Sequence, residues 1–364
     1  MTDHSRQIVA LDVMGADDGP GPIIRGGLEA ARRLGEALRV VLVGHEETIN
    51  EQFTHIDGRP ANVSVRHAET EIAMEVSATN GVRQRDSSMA VGLKMVRNGE
   101  ADAFVSAGNT GAVMASSLLT LGRIEGVSRP AIAGIFPTSS SQSCVVLDVG
   151  ANADCKPQHL SQFAVMGSVY SHILFDIESP RVGLLSIGEE RSKGNELIFA
   201  ARKLLRDSHI NFIGNIEGRD ILSSGVDVAV TDGFTGNILL KFGESIKPFL
   251  VKKIEHQIQT NVFSRIGATL LLPFLRRMRN AFDYAHAGGA PLLGVNGVVI
   301  ICHGTSSPRA IANAVIVAHS MALKRINECI HQELTANHFG KGHESEDKSQ
   351  DFRDGVVCPT GSDD

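Results

Sequence analysis

The chain has 364 residues, a formal net charge of −6, 42% apolar residues, 5% aromatic residues and no Trp. That length suits one large α/β domain built of two lobes, and the apolar fraction excludes a disordered or fibrous chain. The acidic balance and the scarcity of aromatic rings exclude a general nucleic-acid binder, which needs a broad basic footprint and stacking platforms.

The chain opens with "MTDHSRQIVALDVMG", which lacks the apolar core of a secretory signal and enters a strand at once. From there, strand, small-residue turn and helix alternate. "QIVALDVMG" leads to "PIIRGGLEAARRLG", "RVVLVG" to "HEETINEQF", "NVSVRHA" to "SSMAVGLKMVRNG", and "DAFVSAG" to "ASSLLTLGRI". "AIAGIFP" and "SCVVLDVG" precede "PQHLSQFAVMGSVYSHIL"; "RVGLLSIGEE" precedes "NELIFAARKLLRD"; "VDVAVTDG" precedes "NILLKFGESIKPFL"; and "GVVIICHG" runs into "PRAIANAVIVAHSMALKRI". Short, continuously apolar strands between amphipathic helices predict an α/β fold, a largely parallel sheet sandwiched by helices.

Two segments break the pattern. Residues 244–287 read as a protruding helical arm without a strand, and residues 336–364 as a disordered polar tail, leaving 1–335 as the folded unit. No run reaches the roughly 18–20 apolar residues of a membrane span, so a cytoplasmic chain is expected. The five cysteines, Cys144, Cys155, Cys302, Cys329 and Cys358, are scattered without a CxxC pair, so buried reduced thiols are expected rather than a zinc site or a disulfide framework.

In open α/β sheets ligands collect beyond the carboxyl ends of strands, and here those ends share a polar vocabulary. "VSAGNTG" carries Asn109, Thr110 and Gly111; "SIGEERSKGNE" carries Lys193 and Asn195; "VTDGFTGN" carries Asp232 and Asn237, with Lys241 one turn on; "ICHGTSSPRA" carries His303, Gly304 and Ser306. Backbone donors at helix starts, lysines and hydroxyls are groups that hold an anion, and several such turns from one sheet are expected to converge on one crevice. There is no GxxxxGK[ST], no GxGxxG after the first strand, no GxSxG and no HExxH, which removes Walker-type, dinucleotide, serine-hydrolase and zinc-hydrolase readings. A small phosphate-like anion, held without metal or organic cofactor, remains.

With these motifs side by side the sequence resembles the PlsX family, the bacterial phosphate acyltransferases of phospholipid synthesis. The resemblance runs from Ile8 to about Ile326 and rests on "RDSSMAVGLKMVRNGEADAFVSAGNTGAVMA", "LDVGANADCKPQHLSQFAVMGSVY", "LLSIGEERSKGNEL", "FIGNIEGRDI", "DVAVTDGFTGNILLK" and "GGAPLLGVNGVVIICHGTSSPRAIANA", in the family's order. It departs in the first loop, where Ala16 and Asp18 stand in place of the usual Gly and His. The resemblance implies a fold similar to phosphotransacetylases and isocitrate/isopropylmalate dehydrogenases, a homodimer, and transfer of a fatty acyl group from acyl-acyl carrier protein to inorganic phosphate. It also implies peripheral association with the inner face of the membrane, where a membrane-bound glycerol-3-phosphate acyltransferase takes the product.

On this reading bound phosphate attacks the thioester directly. Asn109, Thr110 and Gly111, with Lys193 or Lys241, are expected to cradle it; Asn195 belongs to the same polar set. Asn237, or the N–H groups of Gly304 and Ser306 after His303, are expected to stabilise charge on the thioester oxygen. His303 is the candidate general acid, and Asp232 orients a lysine or a phosphate proton. Cys302 is expected to be a buried thiol rather than a covalent nucleophile. In the arm, Leu271, Leu272 and Phe274 beside Arg276 and Arg277 suit a dimer contact, a membrane-surface tip or an acidic carrier-protein contact. A phosphotransacetylase or phosphotransbutyrylase acting on acyl-CoA, a non-catalytic membrane scaffold and a dehydrogenase of similar fold are the competing readings.

Overall fold

The computed structural model describes residues 6–337 except 55, 57, 75, 77, 141, 260–270 and 272–287. Eleven strands among these residues form one sheet: β1 (Gln7–Asp12), β2 (Leu38–Gly44), β3 (Val63–His67), β4 (Ala103–Ser106), β5 (Ala131–Pro137), β6 (Ser143–Leu147), β7 (Val182–Leu185), β8 (Phe212–Ile216), β9 (Val228–Val230), β10 (Ala290–Leu293) and β11 (Val298–Ile301). Their spatial order is β3-β2-β1-β4-β11-β10-β5-β6-β9-β7-β8. Every pairing is parallel except β10 with β11, β10 with β5, and β5 with β6. The expected α/β sheet is therefore present, with an antiparallel seam at its centre. "APLL" of β10, set between glycines, was not among the strands expected from the sequence.

The strands read as unbroken apolar runs because both faces are covered. Alternate residues enter opposite cores: Val9, Leu11, Val105, Leu147 and Val230 belong to one, and Ala10, Phe104, Val146 and Ala229 to the other. The first core is closed by α1 (Pro20–Leu34), α2 (Glu46–Phe53), α6 (Pro157–Phe175), α7 (Glu196–Arg206), α9 (Pro308–Leu323) and α10 (Ile326–Ala336). The second is closed by α4 (Ser88–Arg97), α5 (Thr110–Leu121) and the start of α8 (Gly233–Gln259); a single turn, α3 (Ala78–Gly81), leans on α5. Close approach is built in by glycine: a Cβ on Gly92 of α4 would collide with the Phe104 ring of β4.

The expected arm begins inside α8, which continues through Pro248 to Gln259. Leu272, Phe274, Arg276 and Arg277 lie outside the described residues; Leu271 is described and exposed. Of the tail expected over 336–364, Ala336 instead ends a helix and Asn337 is its buried C-cap, while 338–364 lie outside the described residues. Cys144, Cys155 and Cys302 are free thiols, as expected, whereas Cys329 is disulfide-bonded.

Beyond the seam the sheet edge is tied by a fork-to-carboxylate pair. Arg181 donates from Nε to Asp227 Oδ2 and from Nη2 to Oδ1, both at 2.9 Å, and its backbone N–H adds a third bond at 2.7 Å. Burial opposes ionisation of Asp227, but the Arg181 contacts outweigh it and hold the carboxyl below its ordinary value of 3.8. A carboxyl depressed in the fold contributes stability above its unfolded pKa and loses that contribution as pH falls through the folded value. Asp227→Asn is accordingly expected to lower stability at pH 7 by about 1.5–3 kcal/mol. In urea titrations from pH 7 to pH 2, the gap to the parent chain should narrow below pH 4.

Candidate active site

The strand directions decide which turns can meet. β1, β4 and β11 are adjacent and parallel, with Asp12, Ser106 and Ile301 in register, so the loops that follow them leave one rim side by side. β6, β9, β7 and β8 are parallel to one another, but the seam reverses them, so their following loops leave the opposite rim. Asn152 of the β6 loop accordingly donates to the carbonyl of Pro130, beside the first residue of β5. The expected single crevice is therefore not formed within one protomer. Asn109, Thr110, Gly111, His303, Gly304 and Ser306 occupy the first rim; Lys193, Asn195, Asp232 and Asn237 belong to the second, and Lys241 lies further along α8, two residues before Gly243, which packs on Phe136 near the carboxyl end of β5.

At the first rim three loops interlock. Asp17 N–H donates to Gly304 O at 3.1 Å, and Gly304 lies so close to the Asp17 carboxylate that a Cβ there would collide with it. Cys302 N–H donates to Ser106 O at 2.8 Å. Asn109 caps α5, its Oδ1 accepting from Ala112 N–H at 2.9 Å, while its Nδ2 donates to Met74 O and so fastens a fourth loop over the rim. Both ends of the Asn109 side chain are therefore engaged within the protein. The N–H groups of Thr110 and Gly111 have no acceptor among the described residues, and Thr110 is exposed. These are the free donors that every α-helix leaves at its first turn, at the positive end of the helix dipole.

His303 follows β11, the strand paired in parallel with the β4 that leads into that helix. Its Nδ1 lies 2.9 Å from Thr305 Oγ1 and also accepts from Thr305 N–H at 3.4 Å. Acceptance at Nδ1 leaves the proton of the neutral ring on Nε2. Ser307 caps α9 through Ala310 N–H, and Ser306 N–H donates to His303 O, closing the turn. Cys302 is buried beneath, and burial pushes its thiol up to about 12. A thiol so held is neither ionised nor accessible at neutral pH.

The second rim is organised around Asp148. Its buried carboxylate accepts from the N–H groups of Ile132, Gly150, Ala151 and Asn152 and from Asn152 Nδ2, at 2.7–3.1 Å. Burial raises its pKa, against the lowering effect of these bonds. Gly236 of α8 packs on the Asp148 carbonyl with no room for a Cβ, which places Asn237 beside Gly150. Asp232 caps α8, Oδ1 accepting from Thr235 N–H at 2.8 Å and Oδ2 from Thr235 Oγ1 at 3.0 Å. Asn195 caps α7 through Ile198 N–H, and Lys241 pairs with Glu244 at 3.0 Å. Lys193 is exposed, on a loop that Asn215 Nδ2 holds by the carbonyls of Glu190 and Lys193 at 3.2 and 3.1 Å.

Sequence reasoning did not assign roles to Asp12, Asp17, Ser88 or Met74, which lie in or under the first rim; the placing of Asp12 inside the apolar run "IVALDVM" was the available signal. No cluster of metal-binding side chains is found among the described residues. A polar hollow of about 680 Å³, lined by Arg123, Asn296, Arg325, Glu328 and His331, opens elsewhere, near the amino ends of β4 and β11.

The fold is shared with two groups of α/β enzymes. A phosphotransacetylase from Streptococcus pyogenes superposes with a TM-score of 0.58 at 17% identity, over 88% of this chain and 96% of that one. A 4-hydroxythreonine-4-phosphate dehydrogenase from Klebsiella pneumoniae gives 0.51 at 14% identity, over 88% and 99%. The family model described as "Fatty acid synthesis protein" matches residues 8–329. A protein of Citrifermentans bemidjiense named phosphate acyltransferase is 45% identical over 339 residues, 93% of this chain and 96% of its own. The chain belongs to that family, the PlsX phosphate acyltransferases.

The buried Cys302 thiol excludes an acyl-cysteine at this rim. Cys302→Ala is expected to keep turnover within about threefold of the parent (~0.65 kcal/mol of barrier, from the tenfold per 1.36 kcal/mol relation), measured as thiol release from an acyl thioester.

Proposed function

We propose that the chain transfers a fatty acyl group from acyl-acyl carrier protein to inorganic phosphate, giving acyl phosphate for glycerophospholipid synthesis. Family membership supports the reaction class; the observation that carries the site is the pair of unengaged N–H groups at the start of α5, facing the His303 loop. Hydrogen phosphate seated on these donors attacks the thioester carbon, the carbon–sulfur bond breaks, and the phosphate proton ends on the departing sulfur. Positioning the two reactants is worth roughly 7–11 kcal/mol of the barrier. The phosphate proton passes to His303 as attack proceeds, and the imidazolium so formed protonates the departing thiolate. Ser306 N–H is taken up by the turn itself, so the Gly304 N–H, which has no acceptor among the described residues, stabilises the developing oxyanion, by about 2.7–4 kcal/mol.

Lys193, Asp232 and Asn237 serve the same site from the second rim of a partner copy in a homodimer. Support comes from α8, where Phe234, Ile238, Phe242, Ile246 and Phe249 recur every three or four residues and are all exposed. A contiguous apolar stripe of this kind marks an interface. Phe242→Glu is expected to shift the particle to monomer in sedimentation velocity; an unchanged sedimentation coefficient would remove the stripe from the interface. The 270–277 segment is proposed as a reversible membrane-surface contact that hands the product to a membrane-bound glycerol-3-phosphate acyltransferase. No helix among the described residues is long and apolar enough to cross a bilayer.

The decisive assay is release of free carrier-protein thiol from palmitoyl-acyl carrier protein, with and without orthophosphate, beside palmitoyl-CoA as donor. Release that requires phosphate and favours the carrier-protein donor supports the reading; phosphate-independent release identifies a hydrolase instead. Thr110→Pro tests the seat. Proline suits the first helical position, and Asn109 at φ −54°, ψ 116° already has the extended backbone that precedes one. The variant loses one charge-assisted bond, worth about 1.5–3 kcal/mol, so the phosphate KM should rise about ten- to a hundredfold.

A further inference from the structure

β1 ends in a carboxylate that the reaction as proposed does not use. Asp12 is almost fully buried at the centre of the first-rim sheet. One oxygen accepts from the Ser106 hydroxyl at 2.8 Å and the other from Met14 N–H at 3.1 Å. Ser106 Oγ in turn accepts from Gly108 N–H at 3.1 Å. With its proton given to Asp12, the Ser106 oxygen has its lone pairs free for Gly108, so carboxylate, hydroxyl and amide form a directed relay. Ser106 also lies between the neighbouring strands, its carbonyl accepting from Cys302 N–H.

We propose that Asp12 is a positioning residue for the nucleophile: through Ser106 it fixes the Gly108–Asn109 turn and so aims the Thr110 and Gly111 N–H groups at bound phosphate. The inference rests on the phosphate seat proposed above and extends it beneath the surface. Three features of the molecule support it. The relay reaches the α5 turn at Gly108, two residues before the free donors, and the β1 loop at Met14, next to Gly15. Space is tight there, since a Cβ on Gly15 would come within 3.8 Å of Gly108 Cα and 3.0 Å of Ile72 O. Burial, opposed by the hydroxyl and amide bonds, pushes the Asp12 carboxyl up to about 6. An acid in an apolar core lowers stability unless its bonds compensate, so its position under these loops is better explained by what it orients than by what it stabilises. Asp148 acts likewise at the other rim, a buried strand-end carboxylate gathering the N–H groups of the loop that follows it.

The test separates aim from fold. Ser106→Ala breaks the relay while leaving Asp12 its Met14 bond; Asp12→Asn breaks it from the other end. Each should raise the KM for orthophosphate about tenfold or more while leaving the KM for the acyl donor within twofold and the far-ultraviolet circular dichroism unchanged. Phosphate KM within twofold of the parent in the variant that folds would overturn the proposal, as would an equal loss toward both substrates. Thr110→Pro, assayed beside them, tells the two readings apart. If it raises the phosphate KM and Ser106→Ala does not, the seat stands and the relay falls; if neither moves it, both fall.

Discussion

The reversal of strand direction at β10 and β5 governs everything else in this structure. Parallel neighbours require a crossover, and every crossover returns the chain to the same edge of the sheet, so loops after parallel strands accumulate at one rim. A hairpin does the opposite. The connection of residues 138–142 between β5 and β6 turns the chain over once, and residues 294–297 between β10 and β11 turn it back. Between those two hairpins lie β7, β8 and β9, all pointing the second way. Two loop clusters with similar chemistry therefore face away from each other in one protomer. No side-chain movement brings them together, because the separation is set by the hydrogen-bonded ladder itself.

Each cluster is then held by a strand-end acid. Asp12 and Asp148 are buried where strand becomes loop, and each collects bonds from the residues immediately following it. A short acidic side chain suits this place because it accepts several N–H groups at once, which a hydroxyl does not. Glycine supplies the complementary condition. Gly236 and Gly304 stand where another side chain would meet the Asp148 carbonyl or the Asp17 carboxylate, so the loops approach each other at backbone distance. Acid hub and glycine contact together give a rim whose donors are fixed before any anion arrives, which is the condition under which a positioned nucleophile gains most.

Much of this was legible in the sequence, and the illegible part has a physical cause. Apolar runs such as "VALDV" and "CVVLDV" give strands buried on both faces, and Asn109, Asn195 and Ser307 stand at helix starts because their side chains cap N–H groups. The same capping explains why Asn109 was read as part of the phosphate cradle: an asparagine cap and an anion ligand stand at the same position of a helix start, and only the observed bonds separate them. Strand direction leaves no trace in composition. "APLL" has neither the length nor the alternation that marks a strand, and with it the antiparallel seam stayed hidden, so turns at opposite rims were taken to share one crevice. Asp12 was passed over for a related reason. Its neighbours are apolar, and a single polar residue inside a strand gives no sign of whether it is paired.

The two-rim arrangement and the surface of α8 bear on one another. Leu239 and Leu240 of that helix pack on the sheet, while Phe234, Ile238, Phe242, Ile246 and Phe249 face outward and remain exposed. A helix apolar on two sides needs two covers, and the described residues supply one. Full burial of each such side chain is worth about 1.5–3 kcal/mol, so five on each of two copies supply a driving force of the same order as, or above, the roughly 4–15 kcal/mol cost of pairing. α8 starts at the second rim, directly after Asp232, and its outward stripe begins with Phe234 at that rim. A contact made along this stripe therefore draws the second rim of one copy toward its partner, which is the displacement the opposed loop clusters require. The sheet divides the polar groups between two edges, and the proposed dimer contact along α8 is the means of reuniting them.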